Sequence, residues 1–133
     1  RSGAVAVRLA IDTNRYRDLC DGKPDVVERL ETADAIFVPV VVLAELRAGF
    51  AVGKKGRANE RVLHGFLALP GVEILHTSDA TTRSYAALYR QLRTQGTPIP
   101  TNDLWIAAIV VEHDLALYSR DAHFEALPQL NLI

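Results

Sequence analysis

Short apolar runs rich in β-branched residues alternate with longer stretches whose apolar residues recur at helical spacing, and this alternation implies strands paired in parallel through right-handed helical crossovers. Val5 to Ile11, Ala35 to Val38, Val72 to Leu75 and Leu115 to Tyr118 have the length of buried strands, and Leu130 to Ile133 is a weaker fifth. Between them, Asp12-Thr13-Asn14 offers N-cap chemistry for a helix through Tyr16 and Leu19 to about Gly22, and Pro24 opens another with Val26, Val27 and Leu30 inward. Helices are also expected from Val41 to Val52, from Ala58 to Leu69 with Val62, Leu63, Phe66 and Leu67 as the apolar residues at helical spacing, and from Ser78 to about Thr94 with Tyr85, Leu88, Tyr89 and Leu92 as the buried stripe. Thr101 to Glu112 is apolar almost all round, so it has to lie largely inside the protein. The expected fold is a three-layer α/β/α domain with a central, mostly parallel sheet of four to five strands.

A chain of 133 residues, with 49% apolar positions, can build one core and is too short for two. The whole length, 1–133, therefore reads as a single domain, with Arg1-Ser2-Gly3 set aside as a tag remnant or trimmed start. No apolar stretch approaches the roughly 20 residues of a membrane span, and no export signal opens the chain, so a soluble protein is expected. Cys20 is the only cysteine and has no partner for a disulfide, which fits a reducing cytoplasm. The net charge of -1 gives no global attraction to nucleic acid. The one visible positive cluster is Lys54, Lys55 and Arg57 with Arg61 beyond it, readable as a solvated loop or a phosphate contact; Arg15, Arg47 and Arg120 are separate candidates. Those three arginines sit beside acids in sequence, where holding phosphate and forming surface ion pairs are equally consistent.

Four acids stand out because a parallel sheet brings the carboxyl ends of its strands, and the N-termini of the returning helices, to one edge. Asp12 ends the first strand, Glu45 follows the second, Asp121 follows the fourth, and Asp103 opens the helix leading into the fourth. Each has an ordinary reading as a helix cap, a turn residue or a solvated helix position. Gathered at one edge they repel one another, and a hard divalent cation with oxygen ligands relieves that repulsion, which points to Mg²⁺ or Mn²⁺. A zinc site is not expected, with no cysteine pair and with His64, His76, His113 and His123 scattered along the chain. Metal held by carboxylates suits hydrolysis of a phosphodiester. Thr13, Asn14 and Ser119 are supporting candidates that can hydrogen-bond the carboxylates or metal-bound water.

The segments Leu9-Ala10-Ile11-Asp12-Thr13-Asn14, Ala44-Glu45-Leu46, Thr101-Asn102-Asp103-Leu104-Trp105-Ile106-Ala107-Ala108 and Ser119-Arg120-Asp121-Ala122-His123-Phe124 occur in this order across the chain. Together they resemble the PIN-domain family, and within it the VapC toxins of type II toxin-antitoxin modules. The resemblance implies a Mg²⁺- or Mn²⁺-dependent endoribonuclease, usually a homodimer, whose cognate VapB-type antitoxin places a C-terminal segment in the site. It also implies that Asp12, Glu45, Asp103 and Asp121 form the catalytic and metal-binding set, the last being the most variable position in such proteins. Arg15 departs from the pattern, standing where similar proteins often carry an apolar residue. The alternative is a PIN-like interaction module that binds a partner and cleaves poorly. A haloacid-dehalogenase-like phosphatase needs a second Asp where Asn14 stands, and no Gly-rich turn follows the first strand as a P-loop or dinucleotide site requires.

Overall fold

A computed structural model describes residues 6–133. The expected alternation is present. The strands are β1 (Arg8–Ile11), β2 (Ala35–Pro39), β3 (Val72–Leu75), β4 (Ala116–Tyr118) and β5 (Asn131–Leu132). The helices are α1 (Thr13–Cys20), α2 (Pro24–Glu31), α3 (Val40–Val52), α4 (Gly56–Leu67), α5 (Asp79–Gln95) and α6 (Thr101–His113), with a 3-10 helix at Ala122–Ala126 before β5. Arg1-Ser2-Gly3 and Val5, the proposed start of the first strand, lie outside the described residues.

The strands form one sheet in the order β3-β2-β1-β4-β5, every neighbouring pair parallel. The chain winds outward from β1 to β2 and β3, then returns through α5 and α6 to place β4 on the other side of β1. The direction of winding therefore reverses between β1 and β4, which is where an open parallel sheet leaves a crevice at its carboxyl edge. Leu9, Ala10 and Ile11 of β1 are fully buried, as a central strand covered by helices on both faces must be.

The core explains the sequence pattern. Ile106, Ala107, Ala108, Ile109 and Val110 of α6 are buried, so this helix lies inside as its apolar character required, with Val111 and His113 exposed in its last turn. Two expected inward residues face solvent: Val62 on α4 is 57% exposed and Tyr89 on α5 is 50% exposed. On α5, Leu88 and Leu92 suffice to fill the contact with the core, and Tyr89 instead stacks along Tyr85, which packs on Trp105 with ring centres 4.3 Å apart. No helix among the described residues is long and apolar enough to cross a membrane.

Two details aim the chain at the carboxyl edge. Gly96 ends α5 in the left-handed region at φ 73°, and Thr97 N–H donates to the Leu92 carbonyl at 3.0 Å, a helix-ending motif that turns the chain toward α6. Pro100 then occupies the N-cap position of α6, so Asp103 opens the helix as a first-turn acid near the positive end of its dipole, and not as its N-cap.

Asp18 on α1 is a buried charge that the sequence reading did not single out. It is 2% exposed, and its carboxylate accepts from Arg120 Nε at 3.0 Å, Lys23 Nζ at 2.9 Å and Arg15 Nη1 at 3.3 Å. Arg120 lies two residues beyond β4, so this cluster ties α1 to the segment leading out of β4. The cations, Arg120 first, hold the Asp18 carboxyl well below the usual carboxylate range against the opposing effect of burial. The unfolded chain therefore takes up the Asp18 proton first. The stability this group contributes is complete above its unfolded pKa of about 4 and is lost as pH falls through the lower folded value. Asp18→Asn is expected to cost about 2 to 3 kcal/mol at pH 7 by urea unfolding, because three cations lose their shared anion. The gap to wild type should close progressively below about pH 4; a gap unchanged at acidic pH would show that the ion cluster is not its source.

Candidate metal centre

Asp12, Glu45, Asp103 and Asp121 all line one cleft of about 690 Å³ at the carboxyl edge of the sheet. The elements put them there as the topology dictates. Asp12 follows the last residue of β1, Asp121 lies three residues beyond β4, Glu45 sits in the second turn of α3 immediately after β2, and Asp103 is in the first turn of α6. Ala44 and Ala48 of α3 and Ile106 and Trp105 of α6 form the apolar part of the wall.

Each carboxylate is held by a specific donor. Asp12 is the N-cap of α1, its Oδ1 accepting from the Arg15 N–H at 2.9 Å, so the ordinary capping role and a place in the cleft coincide. Its other oxygen accepts from the Ser119 hydroxyl at 2.5 Å. Ser119 Oγ in turn accepts from the Asp121 N–H at 3.0 Å, so one hydroxyl fixes the acids that follow β1 and β4 relative to each other. Thr13 Oγ1 donates to Glu45 Oε1 at 2.7 Å and ties α1 to α3. Asn14 lines the cleft without hydrogen-bonding any carboxylate among the described residues.

His123 completes the arrangement and corrects the description of the histidines as scattered. Its Nδ1 lies 2.8 Å from Asp103 Oδ2 and 3.0 Å from Asp121 Oδ1. The three residues offer ligand atoms that all fall within 4.8 Å of one another. The signal was present in the sequence as a histidine two residues after an acid at the end of a strand. Its reach depends on the 3-10 turn, which Asp121 caps by accepting the His123 N–H at 2.9 Å, and no periodicity announces that turn.

The cleft is electrostatically uncomfortable without a cation. Burial raises the pKa of Asp12, which is 5% exposed, more than the Ser119 and Arg15 hydrogen bonds lower it, and Asp121 adds repulsion. Burial likewise raises Asp103 above the usual carboxylate range, with Asp121 and Glu45 pushing the same way and His123 opposing. The hydrogen bond to Asp103 raises His123 above its ordinary value. Carboxyl oxygens with one imidazole, partly buried and mutually repelling, are a donor set that fits a divalent ion such as Mg²⁺ or Mn²⁺.

The arginines named from sequence have other employment. Arg15 pairs with Asp18 and lies over the Tyr118 ring at 4.2 Å, Arg120 pairs with Asp18, and Arg47 donates to Glu60 at 2.9 Å. Lys54, Lys55, Arg57 and Arg61 do not line the cleft.

Comparison with known proteins agrees with this architecture. The PIN-domain family profile matches residues 9–130. Over 96 residues, 72% of this chain and 74% of the relative, the sequence is 33% identical to ribonuclease VapC4 of Mycobacterium tuberculosis. It is 33% identical over 128 residues to the VapC ribonuclease Y4jK of Sinorhizobium fredii, covering 89% and 91% of the two chains. The toxin-antitoxin structure of VapBC2 from Rickettsia felis, bound to a promoter DNA fragment, superimposes with a TM-score of 0.85 at 29% identity over 96% of this chain and 98% of that one. With the acids, the reversal between β1 and β4 and these likenesses in view, the chain belongs to the PIN-domain family, in the group that includes the VapC ribonucleases.

Proposed function

We propose that this chain is a divalent-metal-dependent endoribonuclease acting as the toxin of a VapBC-type toxin-antitoxin module, folded as a single domain and working in the cytoplasm. The observation that carries the proposal is the convergence of Asp12, Glu45, Asp103 and Asp121 on one cleft at the winding reversal of a PIN fold. Its partners are RNA as substrate, a VapB-like antitoxin that blocks the cleft, and a second copy of the chain in a homodimer. The relatives named VapC ribonucleases and the VapBC complexes among similar structures support this reading. The alternative of a catalytically weak interaction module gains nothing from a cleft that keeps all four acids.

The chain's own residues supply orientation. Asp12, Asp103 and Asp121 would hold Mg²⁺ or Mn²⁺, with Glu45 completing the negative wall and positioned by Thr13. Such an ion supplies a water of lowered pKa and neutralises charge developing on the phosphodiester. Ser119 keeps Asp12 and the backbone at Asp121 in fixed relation, and His123 restrains the Asp103 and Asp121 carboxylates, so the ligand oxygens are arranged before substrate arrives. Burial raises the pKa of Asp12 and Asp103, and a bound cation would favour their ionised forms.

Three outcomes test this. Total cellular RNA incubated with the protein and Mn²⁺ should yield discrete new ends that vanish with EDTA, and Asp12→Asn or Asp103→Asn should reduce cleavage by about 100-fold or more; undiminished cleavage by Asp12→Asn would sink the assignment. His123→Ala should weaken Mn²⁺ binding by about 10-fold or more in calorimetry while leaving the circular dichroism spectrum unchanged. The third outcome concerns the protein without metal. Because burial raises Asp12 in the folded state, the native protein binds that proton more readily than the unfolded chain does. Metal-free stability therefore falls as pH rises from about 4 through the folded value. Metal-free Asp12→Asn should accordingly melt about 3 to 5 °C above wild type at pH 7, with the difference gone near pH 4; a variant melting below wild type at neutral pH would contradict it.

A further inference from the structure

We infer that Arg17 is a substrate-positioning residue that seats a phosphate of the RNA strand at the mouth of the acidic cleft; the inference rests on the ribonuclease reading above. Four observations converge on this residue. Arg17 lines the cleft together with Asp12, Glu45 and Asp103, and it is the only cation among the residues that do. It also lines the neighbouring groove with Tyr16, Leu46 and Phe50, so it stands where the two depressions meet. Its side chain is exposed and has no acidic partner among the described residues, whereas Arg15, Arg47 and Arg120 are committed to Asp18 and Glu60. Finally, Gly49 on α3 leaves the space the guanidinium uses: a Cβ added there would lie 3.7 Å from Arg17 Nη2 and near nothing else within 4 Å.

An anionic polymer entering a cleft lined by four acids meets net repulsion at all distances beyond the metal itself. A cation with free donors at the rim offsets this, and a guanidinium offers planar, paired donors that match a phosphate. Arg17 is anchored on α1, the helix that Asp12 caps, so a phosphate held there is placed at fixed separation from the reacting centre. The ordinary alternative is that Arg17, in the last turn of α1, simply complements the helix dipole. The two roles have different consequences. A dipole contact contributes to melting temperature and is satisfied by lysine, while a phosphate seat contributes to RNA affinity and its salt dependence.

The test compares wild type, Arg17→Ala and Arg17→Lys in two assays. In the first, steady-state cleavage of a single-stranded RNA carrying a mapped cut site should show KM raised about 10-fold by Arg17→Ala, with kcat changed by less than about 3-fold. In the second, binding of that RNA to each protein in an Asp103→Asn background is followed against salt. Arg17→Ala should flatten the slope of log affinity against log salt by about 0.7, the loss of one phosphate contact on a single strand, and Arg17→Lys should restore the slope but only part of the affinity. Unchanged KM and salt slope, with a lowered melting temperature in Arg17→Ala, would assign the residue to the helix dipole and overturn the inference. Absence of any metal-dependent cleavage by the wild type would instead remove the ribonuclease reading on which it stands.

Discussion

Carboxylates that repel one another are gathered at the carboxyl edge of a five-stranded parallel sheet, and the rest of the structure is organised around tolerating them. Folding drives Asp12 and Asp103 into partly dry surroundings next to Asp121 and Glu45, which disfavours their charged forms. Nothing in the packing of the sheet requires this. The opposing contribution comes from the apolar strands and from α6, whose buried face spans Ile106 to Val110, and it is large enough that the acids can be carried as a local defect in stability. A divalent cation placed among these acids would offset their repulsion.

Rigidity at that edge comes from side-chain bonds that cross between distant segments. Ser119 reaches Asp12 across 107 positions of sequence, Arg120 reaches Asp18 across 102, and Thr13 reaches Glu45 across 32. All three start or end on Asp12 or α1, so the first helix acts as the frame on which the cleft is hung. The buried Asp18 cluster is the firmest of these ties because the carboxylate is almost wholly removed from water and is met by three cations. This cluster contains none of the four acids of the cleft, so losing any one of them leaves the tie between α1 and the segment after β4 standing.

Much of this was legible in the sequence, and the parts that were not share a physical reason. Strand and helix periodicity placed the elements, and the edge to which Asp12, Glu45, Asp103 and Asp121 converge followed from parallel pairing alone. The supporting roles of Thr13 and Ser119 followed from their position beside those acids, whereas Asn14 shares the position and hydrogen-bonds none of them. Asp18 and His123 escaped notice because their roles depend on which partner approaches from elsewhere. Asp18 is one of several charged residues on a short helix until Arg120 arrives from beyond β4. His123 is a lone histidine until a 3-10 turn swings it onto Asp103. Tyr89 and Val62 fit the inward stripe by spacing yet face solvent, since periodicity fixes the direction of a residue on its helix but not how wide a strip the neighbouring elements cover.

The central claim is that a divalent ion belongs at the meeting point of these acids. Crystals of the protein soaked in Mn²⁺ and measured at the manganese absorption edge test it without reference to any substrate. The strongest anomalous peak is predicted within about 2.2 Å of carboxylate oxygens of Asp103 and at least one of Asp12 and Asp121. A fully soaked crystal whose strongest peak lies elsewhere on the molecule, with the cleft empty of metal, would contradict the account.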